Sequence, residues 1–232
     1  MSDAYDKLAA EYYEPFHKTC RNLDAATAAA LRHHAVSIPP TGCILEVGCG
    51  RGRSQEFLGV DATRIVQLDS SRQMLALTER ENCVLRVLAD ATSIPLFDQQ
   101  FSAVTGFLVD AFIGLDFFSE AFRLLSPTGT LVFTTPAAEW ALSLRQSSQS
   151  DVDSARFITK NKNVVIVPST VLKREKIAEM LSYCGFKSIA IHQEPLPKEV
   201  NDISPDVEKA AWTMRTTSFE FPLVYLVVAR KA

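Results

Sequence analysis

The chain has 232 residues, 47% of them hydrophobic and 22% charged, with a formal net charge of −3. That size and composition fit one domain with an ample core, and the acidic balance gives no basic footprint for DNA or RNA. No uninterrupted apolar run approaches the ~20 residues of a membrane span, and Met1-Ser2-Asp3-Ala4-Tyr5-Asp6 lacks a basic, apolar signal pattern.

In chain order, helices are predicted over 3–13 and 20–35, the second with Leu23, Ala26, Ala30 and Leu31 at helical spacing. Pro39-Pro40-Thr41-Gly42 breaks that pattern. Strands near 43–47, 64–68, 84–88, 101–107 and 130–135 then alternate with helices near 52–59, 71–81 and 116–125. Such alternation predicts parallel βαβ units, an α/β, Rossmann-like doubly wound sheet with helices on both faces. A helix over 170–184 ends at Gly185, and strands near 187–193 and 222–230 bring the sheet to seven. Residues 137–163 and 194–218 interrupt the scheme. Loops this long cover substrates or are plain surface, and the sequence leaves both readings open. The five cysteines (Cys20, Cys43, Cys49, Cys83 and Cys184) are odd in number and lack C-x-x-C spacing, which predicts a reducing, cytoplasmic setting. His33, His34 and His192 show no ligand spacing, so no metal is expected.

Chemistry concentrates at the strand ends. Residues 44–52 read Ile-Leu-Glu-Val-Gly-Cys-Gly-Arg-Gly, an acid two places before a Gly-x-Gly-x-Gly loop. Asp69 ends the next apolar run and Asp90 follows the third. Glycines allow a sharp strand-to-helix turn and close approach of a ligand to the backbone, and ligands of doubly wound sheets bind outside the strands' carboxyl ends. A carboxylate at Asp69 can accept both ribose hydroxyls of a nucleoside, and Asp90 lies where a purine would reach. The spacing departs from G-x-G-x-x-G, which seats a pyrophosphate. Arg51 and Arg53 keep a phosphate conceivable, whereas Glu46 favours an ammonium or sulfonium group.

These segments resemble the class I S-adenosylmethionine-dependent methyltransferases, most nearly the small-molecule group with the ubiquinone and menaquinone C-methyltransferases. Glu46 to Gly52 is similar to the family's first motif and Leu68 to Leu75 to its second. Ala89-Asp90-Ala91 with Ile94 to Asp98 resembles its third, and Arg123 to Leu131 its R-x-L-K-P-G-G turn, with Ser126 for Lys and Thr128 between Pro127 and Gly129. The resemblance covers roughly residues 1–193 and implies an antiparallel last strand. It implies one domain over 1–232, with a helical cap at 1–38 and a cofactor-binding core at 43–135; residues 137–163 and 194–218 are, from their length, candidate substrate-covering insertions. It also implies S-adenosylmethionine as cofactor and S-adenosylhomocysteine as product. Glu46, Gly48, Cys49, Gly50 and Gly52 would form the methionine-side loop, with Cys49 a small filler. Asp69 and Ser70 would take the ribose, Met74, Asp90 and Ala91 the adenine, and Phe107 the methionine amino group through its carbonyl. Tyr12, Tyr13 and His17, with Tyr5 nearby, would cap the cofactor or touch substrate, a tyrosine face suiting a methylsulfonium. Asp110, just past the fourth strand, is the candidate catalytic base, with a helix N-cap as the alternative.

Phe107, Phe112, Phe117, Phe118 and Trp140 suggest a small hydrophobic or aromatic acceptor at carbon or oxygen, unless they are core. A member repurposed for other chemistry or for binding alone, and a nucleotide-dependent oxidoreductase, stand as alternatives. Monomer and homodimer are both open.

Overall fold

A computed structural model describes residues 2–78, 83–148, 151 and 153–231. Its strands are β1 (Cys43–Val47), β2 (Ile65–Asp69), β3 (Leu85–Leu88), β4 (Phe101–Gly106), β5 (Leu125–Pro136), β6 (Ser154–Ile158), β7 (Val164–Pro168), β8 (Ser188–Glu194) and β9 (Val224–Arg230). The helices are α1 (Ser2–Leu8), α2 (Lys18–His33), α3 (Ser54–Leu58), α4 (Arg72–Leu75), α5 (Leu115–Leu124), α6 (Ala138–Ser148), α7 (Arg174–Tyr183) and α8 (Pro205–Met214).

Seven strands form one sheet in the order β3-β2-β1-β4-β5-β9-β8. The pairs from β3 to β5 are parallel, and β9 runs antiparallel to both β5 and β8. This is the Rossmann-like doubly wound sheet expected, with its antiparallel last strand. All five residues of β2 are buried, as are four of five in β1, because helices cover both faces and leave no solvent side to favour polar alternation. On β5 the faces separate cleanly. Leu131 and Phe133 pack with Phe117 and Phe118 of α5 and Ile177 of α7, while Val132 packs with Ala30 and Leu31 of α2. Strand order reverses between β1 and β4, which opens a crevice at their carboxyl ends.

Several expected boundaries move. The helix expected over 3–13 stops at Leu8, and turns carry 9–16. The helix expected over 71–81 is regular only over Arg72–Leu75, and 79–82 lie outside the described residues. Its N-cap is Ser71, whose hydroxyl accepts from Met74 N at 3.0 Å. The helix expected over 170–184 begins at Arg174, because Val171 and Leu172 before it pack into the core and Thr170 N donates to Asp110 O. The interruptions are not structureless. Residues 137–163 hold α6 and β6, and β6 pairs with β7 in a separate two-stranded antiparallel ribbon. Residues 194–218 hold α8, N-capped by Ser204 with Pro205 in its first turn. Among the described residues, no helix is long and apolar enough to cross a membrane.

Crossover 89–100 carries no helix. Arg123 of α5 holds it instead, donating to the carbonyls of Ile94 (2.9 Å) and Leu96 (2.7 Å) and to the carboxylates of Asp98 and Glu120, both at 2.7 Å. Glu120 in turn accepts from Ile94 N at 2.7 Å. Replacing Arg123 with Ala strands the Leu96 carbonyl and the Glu120 charge, so a loss of about 2–3 kcal/mol is expected. Urea unfolding checks this: the midpoint should fall with an unchanged m-value, and an unshifted midpoint would show that the crossover holds without the guanidinium.

Candidate functional site

The crevice is a cleft of about 940 Å³ of non-atom space, its open mouth included. The strand ends of β1 and β2 and the loops after β3 and β4 make its floor and walls, and Tyr5, Tyr12 and Tyr13 of the N-terminal segment face it from above.

Glu46 is almost fully buried, 1% exposed. Its Oε1 accepts from the backbone N–H groups of Arg53 and Ser54, both at 2.7 Å, and its Oε2 from Gln67 Nε2 at 3.1 Å. Burial pushes its pKa up, and those bonds pull against the shift. The carboxylate thus ties the start of α3 back to β1 and shapes the glycine loop between them. Two glycines are required there. Gly50 has φ of +51°, and a Cβ on it would lie 2.1 Å from the Tyr13 hydroxyl. Gly52, at φ of +82°, faces away from the cleft, where a Cβ would lie 2.1 Å from Gln67 Nε2. Gly48, Cys49 and Gly50 line the cleft and Gly52 does not.

Asp69 stands at the end of β2, 8% exposed. Its Oδ2 accepts from Gly50 N and its Oδ1 from Ser71 N, each at 2.9 Å. Each oxygen keeps lone-pair capacity for a further donor, which fits a pair of ribose hydroxyls. Burial raises its pKa. Beyond it, Ser70, Met74, Asp90 and Ala91 line one end of the cleft, with Met74 and Ala91 apolar and buried. Asp90 Oδ1 accepts from Thr92 N at 2.9 Å and Thr92 Oγ1 at 2.7 Å, leaving its other oxygen for the cleft. Phe107 lines the opposite end, edge-on to Phe57 at 5.0 Å.

Asp110 follows Leu108, which holds a left-handed φ of +58°. Leu108 and Ala111 line the cleft, but Asp110 does not. It is half-buried, and its carboxyl accepts from the Ser169 hydroxyl. Arg145 donates to Ser169 O at 2.6 Å and Oγ at 2.8 Å, so its charge stands close by. Burial raises the Asp110 pKa to about 6. Tyr12 stacks on Phe157 of β6 at 5.4 Å, and Tyr13 OH accepts from Arg51 N at 3.1 Å. His17 lies off the cleft, its ring 4.2 Å from Phe16 and 5.5 Å from Phe157. Phe112 lines the cleft, whereas Phe117, Phe118 and Trp140 are core.

Sequence reasoning missed Asp24 of α2 and did not join it to Arg53. Both line the cleft, with Arg53 Nη1 2.7 Å from Asp24 Oδ2. Helical spacing marks Asp24 only as polar, and nothing local points to a partner 29 positions away. His33, His34, His192 and Glu194 also come together far from the cleft, with His34 stacked on His192 at 3.9 Å. Among the described residues, no group is placed to hold a metal ion.

Asp24, Glu46, Asp69 and Asp90 therefore face one cleft with Arg53, which is already paired with Asp24 and Glu56. Net negative charge, a backbone loop open to close approach and an apolar slot at Met74 and Ala91 fit a nucleoside bearing sulfonium and ammonium groups.

Residues 45–133 match the family model described as a methyltransferase domain. A malonyl-[acyl-carrier protein] O-methyltransferase of Enterobacter lignolyticus is 36% identical over 107 residues, 45% of this chain and 43% of the relative. A demethylmenaquinone methyltransferase of Clavibacter sepedonicus is 36% identical over 105 residues, 40% of this chain and 42% of the relative. The matched segment spans less than half the length of these curated relatives. In three dimensions, a Thermotoga maritima S-adenosylmethionine-dependent methyltransferase, described as a possible histamine N-methyltransferase, superposes with a TM-score of 0.67 at 15% identity, covering 100% of both chains. The glycine loop and the row of strand-end acids lie within the segment that matches the methyltransferase-domain model, the sheet has the fold of an S-adenosylmethionine-dependent methyltransferase, and the cleft fits S-adenosylmethionine as its cofactor.

Proposed function

We propose that the protein transfers a methyl group from S-adenosylmethionine to a small hydrophobic or aromatic acceptor, at carbon or oxygen. The observation that carries this reading is the pairing, in one cleft, of backbone-pinned carboxylates with an aromatic roof of Tyr5, Tyr12 and Tyr13. One relative is named for oxygen transfer and another for a demethylmenaquinone acceptor, which supports a small acceptor and leaves the atom to assay.

When bound, the cofactor supplies a methyl group that is already electrophilic. The chain's own work is then positioning and exclusion of water. Asp69 would hold the ribose hydroxyls, and Asp90, Ala91 and Met74 the adenine. The 48–50 loop and the Phe107 carbonyl would hold the methionine end. Leu108, Ala111 and Phe112 with the tyrosines would give the acceptor an apolar wall. A base is needed only for acceptors that lose a proton. Asp110 is our candidate; it does not line the cleft itself, but the Tyr5 phenol, which does, feels its charge.

Replacing Asp69 with Ala removes the ribose acceptor and the bond to Gly50 N. Calorimetric titration should show S-adenosylmethionine affinity falling at least a hundredfold, and retained affinity would discard the ribose assignment.

Asp110 gives a pH signature. Its folded pKa, about 6, lies above the ordinary 3.8. The protonated form is therefore favoured by folding, and that stability, up to about 3 kcal/mol, is complete below the unfolded pKa and lost as pH rises through about 6. Asp110→Asn should thus gain stability relative to the native protein across pH 4 to 6, read from urea midpoints. If Asp110 is the base, kcat/KM rises through about pH 6 in the native enzyme, and that inflection disappears in the Asn variant while cofactor affinity holds. An inflection that survives takes Asp110 out of the chemistry.

A further inference from the structure

The β6–β7 ribbon has an outer face that the fold leaves bare. Its register opposes Ile158 to Val164 and Arg156 to Ile166, so these four side chains are immediate neighbours. Ile158 is 60% exposed, Val164 46% and Ile166 53%. The inner face is also apolar, but it is engaged: Phe157 stacks on Tyr12 and Val167 is buried. A ribbon with one buried face ordinarily alternates to polar residues outside. Contiguous exposed aliphatics on a short ribbon mark an interaction surface.

Charge indicates what covers it. Between 154 and 168 there are three basic residues, Arg156, Lys160 and Lys162, and no acid, in a chain of net charge −3. All three are exposed, and none stands in an ion pair among the described residues. The nearest acid across the cap, Glu11, is engaged by Lys160 N at 2.7 Å, and Asp153 lies at the ribbon's base. A second copy docking through the same face would oppose cation to cation about a two-fold axis. An anionic lipid surface satisfies both features together. Aliphatic tips enter the headgroup boundary, while Arg and Lys heads reach lipid phosphates on flexible stems.

We infer that the outer face of the β6–β7 ribbon docks on an anionic bilayer surface. The inference is independent of methyl transfer. Cosedimentation of the full chain with phosphatidylcholine vesicles, with and without one-third phosphatidylglycerol, tests it. Binding to the anionic vesicles should be at least about tenfold tighter than to neutral ones, and about 0.5 M salt should weaken it as much. R156E/K160E/K162E should lower binding at least about a hundredfold, and I158S/V164S/I166S about tenfold. All six residues are exposed and outside the cleft, so both variants should melt as the native chain does by circular dichroism, which separates lost docking from misfolding. Three outcomes overturn the inference: no binding by the native chain, equal binding to both vesicle types, or binding that survives both triple variants. If the native chain ignores vesicles but self-associates, or pairs with an acidic protein through this face, the lipid assignment is likewise overturned.

Discussion

A buried carboxylate sits in the middle of the sheet and the cleft depends on it. Glu46 is the register partner of Gln67 on β2 and of Thr105 on β4. Those three positions form a polar row inside otherwise apolar strands. Gln67 donates to Glu46, and the Thr105 hydroxyl lies 2.8 Å from Ser54 Oγ. An isolated charge at this depth would be prohibitive. It persists because the first backbone N–H groups of α3 need an acceptor and the positive end of a helix favours an anion. With five residues, α3 is too short to hold its own shape. Tying Arg53 N and Ser54 N to Glu46 fixes both ends of the glycine loop to the same strand. The tie also places the Arg53 guanidinium, which lies over Phe57 at 4.2 Å and meets Asp24 of α2. One carboxylate thereby couples β1, β2, the loop, α3 and, through Arg53, α2.

The roof is pinned at separate points. Asp6 of α1 accepts from Ser71 Oγ at 2.5 Å and Gln73 N at 3.0 Å, an anion at the first turn of α4. Those bonds hold the Asp6 carboxyl below its ordinary pKa. Tyr13 accepts from the glycine loop, and Glu11 accepts from Lys160 of the β6–β7 turn. Exposed polar contacts of this kind are individually weak. Held together with the Tyr12–Phe157 stack, they set the three tyrosines over the cleft.

Much of this architecture is visible in the residues because its causes are local. Short, mostly apolar runs with an acid at or next to the last residue mark β1 and β2, and the alternation with helices follows from them. Asp69 and Asp90 were legible because a strand end places its last side chains at the sheet's mouth. Where the causes are distant, the pattern is silent. Tyr12 meets Phe157, and Glu11 meets a turn 149 positions away, and periodicity carries no record of either. The ribbon itself left a trace, since Val164 to Val167 is an apolar β-branched run, but a run alone does not say that it pairs outside the main sheet. For α8 the signal was present in Ser204 followed by Pro205, a cap and a first-turn proline that a loop reading passed over. Asp110 shows the reverse case. It lies just beyond β4, as the chain order indicates, while its packing against Ser169 and Arg145 depended on where α6 and β7 would lie.

The electrostatics of the cleft follow from how its acids are held. Glu46, Asp69 and Asp90 each accept from backbone N–H groups, so their positions are set by the chain rather than by solvent. Asp24 alone is matched by a cation, and that cation is shared with Glu56. The remaining negative potential is therefore fixed before any ligand arrives, and the tyrosine roof screens it from water, where it would weaken. A pyrophosphate brought to the same loop would meet this field instead of the bare helix terminus that dinucleotide folds offer. A sulfonium would gain from the field and from the tyrosine faces together, and a neutral sulfide would lose the sulfur's share of both. The same arrangement that would draw a charged cofactor in would therefore hold its neutral-sulfur product less tightly.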